Sequence, residues 1–249
     1  MTEPRPRIAV VTFPGSNDDG DACLALEHLG ADAVSVWHTA SEVDPGIAGA
    51  VLPGGFSYGD YLRCGALARI APVMDVVREL AADGAPVLGI CNGFQILCEA
   101  GLLPGVLRAN RQLEFFCADV AVTVESTKTP FTAALASGDH LVIPVKHGEG
   151  NWVVEDDVYV DLVERGQIVL RYVDDVNGSR DRVAGVANEA GNVLGLMPHP
   201  EHAVDPLLGP TGGVSLLEGL IAAARDRSSS TRSGSEATRL PALAHGASP

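Results

Sequence analysis

Cys91 lies in the stretch from Pro86 to Gln95, where a short apolar run ends in a cysteine with a glycine two positions away on either side. That order predicts a strand, a tight turn and a helix, with the sulfur at the corner. A Gly-x-nucleophile-x-Gly backbone tolerates the cramped geometry that presents a side chain at the carboxyl end of a sheet. The helix that follows aims free N–H groups and the positive end of its dipole at the sulfur, and both favour the reactive thiolate. A second group runs from Leu196 to Glu201: an apolar strand leads into His199, which has a proline on each side and a carboxylate two residues on. In extended chain, residues i and i+2 project to the same side, and the prolines disfavour helix. His199 and Glu201 are therefore expected to point together. Glu201 bonded to one ring nitrogen would leave the other facing a thiol, the nucleophile, base and orienter of a catalytic triad.

Three further stretches bear on this chemistry. Residues 53–60 read Pro-Gly-Gly-Phe-Ser-Tyr-Gly-Asp after a predicted strand. Paired glycines let backbone N–H groups approach a ligand, so Gly55 and Asn92, the residue after the cysteine, are the candidate oxyanion donors. Gln95 falls one helical turn beyond Cys91, on the same face, and is the candidate contact for the distal end of a polar substrate. The Lys146 to Gly150 stretch suits either a loop over the pocket or a solvated turn. His199-x-x-His202 with Glu201 is a weak metal pattern, and no metal is expected. Cys98, seven residues beyond Cys91 on an apolar helix, is expected in the core.

The elements that must position these residues follow from the apolar patterning. Strands at 7–13, 33–37, 49–52 and 86–90 alternate with helices from about 19 to 29, at 72–82 and from Cys91 to about 100. Ser16 to Asp19 offers N-cap residues for the first helix. This alternation predicts a parallel sheet with right-handed crossovers. After residue 105 come strand-like runs at 113–125, 141–146 and 168–172 and a helix at 156–165. Segments 183–187 and 193–197 suit a β-hairpin, and a closing helix is expected over 213–226. The expected fold class is α/β: a flavodoxin-like, doubly wound, mostly parallel sheet with a cysteine elbow, plus antiparallel strands in the second half. One domain is expected over 1–227. The Ser/Thr/Gly/Ala/Pro-rich segment 228–249 is expected to be a disordered tail.

Composition narrows the function classes. A formal net charge of −15 over 249 residues disfavours nucleic-acid and anionic-membrane surfaces. Lys128 and Lys146 are the two lysines, and no Gly-x-x-x-x-Gly-Lys-Ser/Thr loop is present to cradle a triphosphate. Any nucleotide chemistry is thus expected on another chain. Five scattered cysteines without a Cys-x-x-Cys pair argue against a disulfide framework and a zinc site, and no apolar run is long enough to span a bilayer. A cytoplasmic location is expected.

The cysteine and His-Pro-Glu motifs resemble those of the class I, or triad, glutamine amidotransferases. Residues 51–63, 89–97, 101–105, 147–150 and 197–201 narrow the resemblance to the glutaminase subunits of phosphoribosylformylglycinamidine synthases, which act in purine biosynthesis. The resemblance implies that Cys91 attacks the glutamine side-chain amide, that His199 carries the proton to departing ammonia and that Glu201 orients His199. It implies no cofactor on this chain. ATP and magnesium would sit on a large synthetase subunit, with a small subunit bridging the two. Two positions depart from the pattern. Asn17-Asp18-Asp19 stands where the family often has Asn-Cys-Asp, and Thr211-Gly212-Gly213 stands where it has Thr-Asp-Gly. A stand-alone cysteine hydrolase on the same sheet is the competing expectation, and it differs in needing no partner for full activity.

Overall fold

The computed structural model describes residues 5–237, with side chains through residue 229. Its first half alternates β1 (Arg7–Thr12), α1 (Asp19–His28), β2 (Asp32–Trp37), β3 (Ile47–Leu52), α2 (Val73–Ala82), β4 (Val87–Ile90) and α3 (Asn92–Glu99). β3 and β4 are buried along their whole length, as central parallel strands covered on both faces must be. Then follow β5 (Val106–Arg108), β6 (Phe116–Val124), β7 (His140–His147), β8 (Asn151–Val153), α4 (Asp156–Arg165), β9 (Ile168–Tyr172), β10 (Val183–Ala187), β11 (Val193–Leu196) and α5 (Val214–Ala237).

Nine strands form one sheet in the order β2-β1-β3-β4-β11-β10-β9-β6-β7. The five strands from β2 to β11 are parallel, and the sheet turns antiparallel at the β10–β11 hairpin. β4 and β11 pair in register, Val87 with Val193 and Ile90 with Leu196. Cys91 and the segment leading to His199 therefore leave the sheet at the same edge, where doubly wound folds place their ligands. β6 and β7 pair from Phe116↔His147 to Thr123↔His140, so the end of β7 reaches that edge too. The His199 N–H donates to the Pro144 carbonyl at 2.8 Å and ties the two together.

One expected boundary is corrected, and two further features stand beside it. β6 begins at Phe116 rather than at 113, because Leu113 adopts φ 57°, outside the strand region. β5 and β8 pair as a separate ribbon of three residues each, too short to leave a periodic signal. In the 228–249 segment, α5 (Val214–Ala237) runs on past residue 227. Ser228 and Ser229 donate their hydroxyls to the carbonyls of Ala224 and Arg225, four residues back, so the polar side chains are accommodated by the helix they extend. The remainder of that segment, 238–249, lies outside the described residues.

Candidate active site

Cys91 is the strained residue at the corner between β4 and α3, with φ 51° and ψ −105°. A non-glycine residue there costs on the order of 1–3 kcal/mol and persists only when its surroundings over-determine it. They do. The Cys91 N–H donates to the Leu196 carbonyl at 2.8 Å. Two residues on, Gly93 lies so close to β3 that any Cβ would collide with the Leu52 carbonyl. The sulfur is consequently fixed at the wall of a cavity of about 270 Å³.

His199 and Glu201 leave β11 and are almost wholly buried. The ring Nδ1 lies 2.6 Å from Glu201 Oε1. Nε2 has no hydrogen-bond partner of its own, and the ring interacts with the Cys91 thiol. Burial opposes a charged imidazole, but the Glu201 carboxylate and the Cys91 sulfur outweigh it and raise the His199 pKa to about 10. The three residues expected from sequence to form a triad are thus assembled in the chain.

The candidate oxyanion and substrate residues are also brought to this wall. Asn92 opens α3, so its backbone N–H is among those with no intrahelical acceptor. Its side chain accepts from the Ser57 N–H at 3.1 Å and donates to Gln95 Oε1 at 2.8 Å, which ties the loop after β3 to α3. Gly55 bridges Ser16, with Asn17 N–H donating to Gly54 and Phe56 N–H to Gly15. That is a non-hydrogen-bonded antiparallel pair, which leaves the N–H of Gly55 outside the bridge. With φ 146°, a Cβ at Gly55 would lie 2.6 Å from the Gly15 oxygen. Gln95 lines the cavity, but much of its amide is engaged: Oε1 accepts from Asn92 and Nε2 donates to the Glu149 carbonyl at 2.7 Å. It braces the 146–149 segment over the pocket, so that segment is a wall of the cavity and not a solvated turn.

Sequence reasoning missed several lining groups. Asp60 and Cys64 sit at one side of the cavity with Glu149. Burial raises the pKa of Asp60, helped by the Glu149 charge and opposed by a bond with Cys64. Burial and the two carboxylates push the Cys64 thiol far up, which leaves it inert beside Cys91. Asp18 was expected as an N-cap residue. It occupies that position without making a cap bond and turns its carboxylate to Lys146 Nζ at 2.5 Å. Asp18, His199, Glu201 and His202 each bring one potential ligand atom within 4.8 Å of one another. Glu201 is committed to His199 and Asp18 to Lys146, so the cluster is organised as ion pairs.

A family model for the CobB/CobQ-like glutamine amidotransferase domain matches residues 5–212. The class is therefore that of the glutamine amidotransferases. Among curated relatives, the phosphoribosylformylglycinamidine synthase subunit PurQ of Rubrobacter xylanophilus is 52% identical over 219 residues, covering 88% of this chain and 99% of that one. Its namesake from Mycobacterium tuberculosis is 53% identical over 205 residues, 82% of this chain and 91% of the relative. A chain in the structure of PurLQS from Thermotoga maritima is 45% identical with a TM-score of 0.81, covering 88% of this chain and 98% of that one. A glutamine amidotransferase crystal structure from the same organism, 18% identical with a TM-score of 0.56 and covering 89% of this chain and 97% of that one, shares the fold. The chain belongs to the PurQ family of glutamine amidotransferases.

Proposed function

We propose that this chain is the glutaminase subunit of a phosphoribosylformylglycinamidine synthase, and that Cys91, His199 and Glu201 carry its chemistry. The observation that supports the site most is the strained Cys91 corner facing an imidazole whose Nδ1 is locked to a buried carboxylate at 2.6 Å. Glu201 fixes the ring so that Nε2 takes the thiol proton. The thiolate adds to the side-chain amide carbon of glutamine, and the N–H groups of Asn92 and Gly55 receive the charge on its oxygen. The C–N bond breaks as the imidazolium gives its proton to the nitrogen, which leaves as ammonia. Water, deprotonated by His199, then opens the γ-glutamyl thioester, releasing glutamate and restoring the thiol. Gln95, through Asn92 and Glu149, holds the wall against which the substrate rests. Asp60 and Glu149 line the same cavity and suit the ammonium group of an amino acid.

This half of the reaction needs no cofactor from the chain. Ammonia passes to a large subunit that uses ATP and magnesium to convert formylglycinamide ribonucleotide to formylglycinamidine ribonucleotide, in purine biosynthesis, with a small subunit bridging the two. Phe56 and Phe115, which line the cavity, and the neighbouring Tyr61 and Leu62 are exposed apolar side chains that suit contact with another subunit. No helix among the described residues is long and apolar enough to cross a membrane, and the five cysteines are unpaired. Both agree with work in the cytoplasm. The test is glutamine hydrolysis by the purified chain with and without the other two subunits. Strong stimulation by the assembled, substrate-loaded complex is expected. Full turnover by the chain alone, unchanged by the other subunits, would favour a stand-alone hydrolase.

A further inference from the structure

We infer that Asp18 is a positioning residue for His199: a second carboxylate that acts on the imidazole, with Lys146 setting how strongly it acts. The inference rests on His199 being the base of the site. Its footing is geometric. Asp18 is 4% exposed, and its Oδ2 lies 3.6 Å from His199 Nδ1, the nitrogen that Glu201 already holds. Gly54 makes the approach possible, since a Cβ there would overlap the Asp18 carboxylate and lie 2.7 Å from His199 Cε1. The Asp18 backbone is anchored by its N–H on the Gly54 carbonyl at 3.2 Å, so the carboxylate is not free to drift. As an N-cap residue, Asp18 would ordinarily serve its own helix. It does not, and the side chain is spent on the active site instead.

Lys146 is the other half of the device. Its Nζ holds Asp18 Oδ1 at 2.5 Å, while its own carbonyl lies 3.8 Å from the Cys91 sulfur. One ion pair therefore joins the residue beside the base to the residue beside the nucleophile, across 128 positions of sequence. A buried carboxylate this close to an imidazole favours the imidazolium, and an ammonium on that carboxylate weakens the effect. The other groups facing His199 are the Glu201 carboxylate, the Cys91 thiol, the His147 ring and His202, whose ring centre is 5.4 Å away. His202 in turn lies 3.4 Å from Asp18 and 4.0 Å from Asp21. Direct removal of Asp18 and direct removal of Lys146 should thus act on His199 with opposite sign. A pair that merely props the fold would not behave that way.

The test is an NMR titration of the His199 ring nitrogens in the full chain. It is run in a Cys91→Ala background, so that the thiol does not titrate with the ring. Asp18→Asn is expected to lower the His199 midpoint by about one pH unit. Lys146→Met is expected to raise it, Lys146→Arg to leave it in place, and the Asp18→Asn/Lys146→Met double variant to return it close to the parent. In the assembled complex with Cys91 intact, the limb of the kcat/KM profile that reports His199 should move in the same directions. Shifts of the same sign in the two single variants, or no shift in either, would overturn the inference. The titration is read without glutamine, so it stands apart from the glutaminase assay. A silent assay with opposite-sign shifts would count against the proposed reaction and leave the role of Asp18 supported.

Discussion

Two walls face each other across the pocket, and they are built in different ways. One is made at the ends of β4 and β11, paired parallel strands that deliver Cys91 and His199 from a backbone fixed on both sides. The other is made of residues 56–64 after β3 and of 146–149, where β7 ends and runs into a loop, braced by Gln95 of α3. Gly55, held in its bridge to Ser16, belongs with the strand ends. The 56–64 segment takes positive φ at Tyr58, Asp60 and Leu62 and exposes Phe56, Tyr61 and Leu62. The groups proposed to make and break bonds sit where main-chain hydrogen bonding leaves no slack. The groups proposed to hold substrate sit largely on connecting segments, where contact with a partner subunit is proposed. Changes at the strand ends should therefore fall on kcat, and changes in the loops largely on KM and on the response to partners.

The largest effect is expected from His199→Ala. Steady-state glutamine hydrolysis should lose at least about 10³-fold in kcat, because both proton transfers pass through this ring. A loss confined to KM would move His199 from the first wall to the second. Gly55→Ala comes next. Its Cβ would press on the Gly15 oxygen and displace the candidate oxyanion N–H, so kcat should fall by about 10²–10³. An unchanged kcat would put the oxyanion site elsewhere. Gln95→Ala should be milder: KM for glutamine rises about tenfold as the bonds to Asn92 and the Glu149 carbonyl are lost, with kcat little altered. A kcat-only effect would blur the distinction between the walls.

A stability effect is expected at the junction of the two walls. Burial, reinforced by the nearby His199 charge, lowers the pKa of His147 to about 4. A histidine depressed in the fold favours folding in full above its ordinary pKa near 6.5. That contribution is lost as the pH falls towards 4, at up to about 1.4 kcal/mol per unit. Chemical denaturation of the full chain should show this decline between pH 6.5 and 4, and His147→Gln should flatten it. An equally steep decline in the variant would mean that other groups carry it.

The strand-end wall was legible in the sequence because each of its residues announces itself. Cys91 follows an apolar run between glycines, and His199 and Glu201 follow one among prolines. The loop wall was not. A Gly- and His-bearing stretch such as 147–150 reads alike as a pocket wall or a solvated turn until the β6–β7 register places it. Asp18 carried the pattern of an N-cap, and its true partner, Lys146, lies 128 residues away. Local spacing carries no trace of such a pair.

The central claim is that Cys91 serves as an ammonia source for a partner. It is tested most directly by Cys91→Ala in the assembled synthase, with synthesis measured from glutamine and from free ammonia. Glutamine-dependent synthesis should be abolished and ammonia-dependent synthesis retained at the wild-type rate. Equal loss with both nitrogen sources, or glutamine-dependent synthesis that survives the substitution, would contradict it.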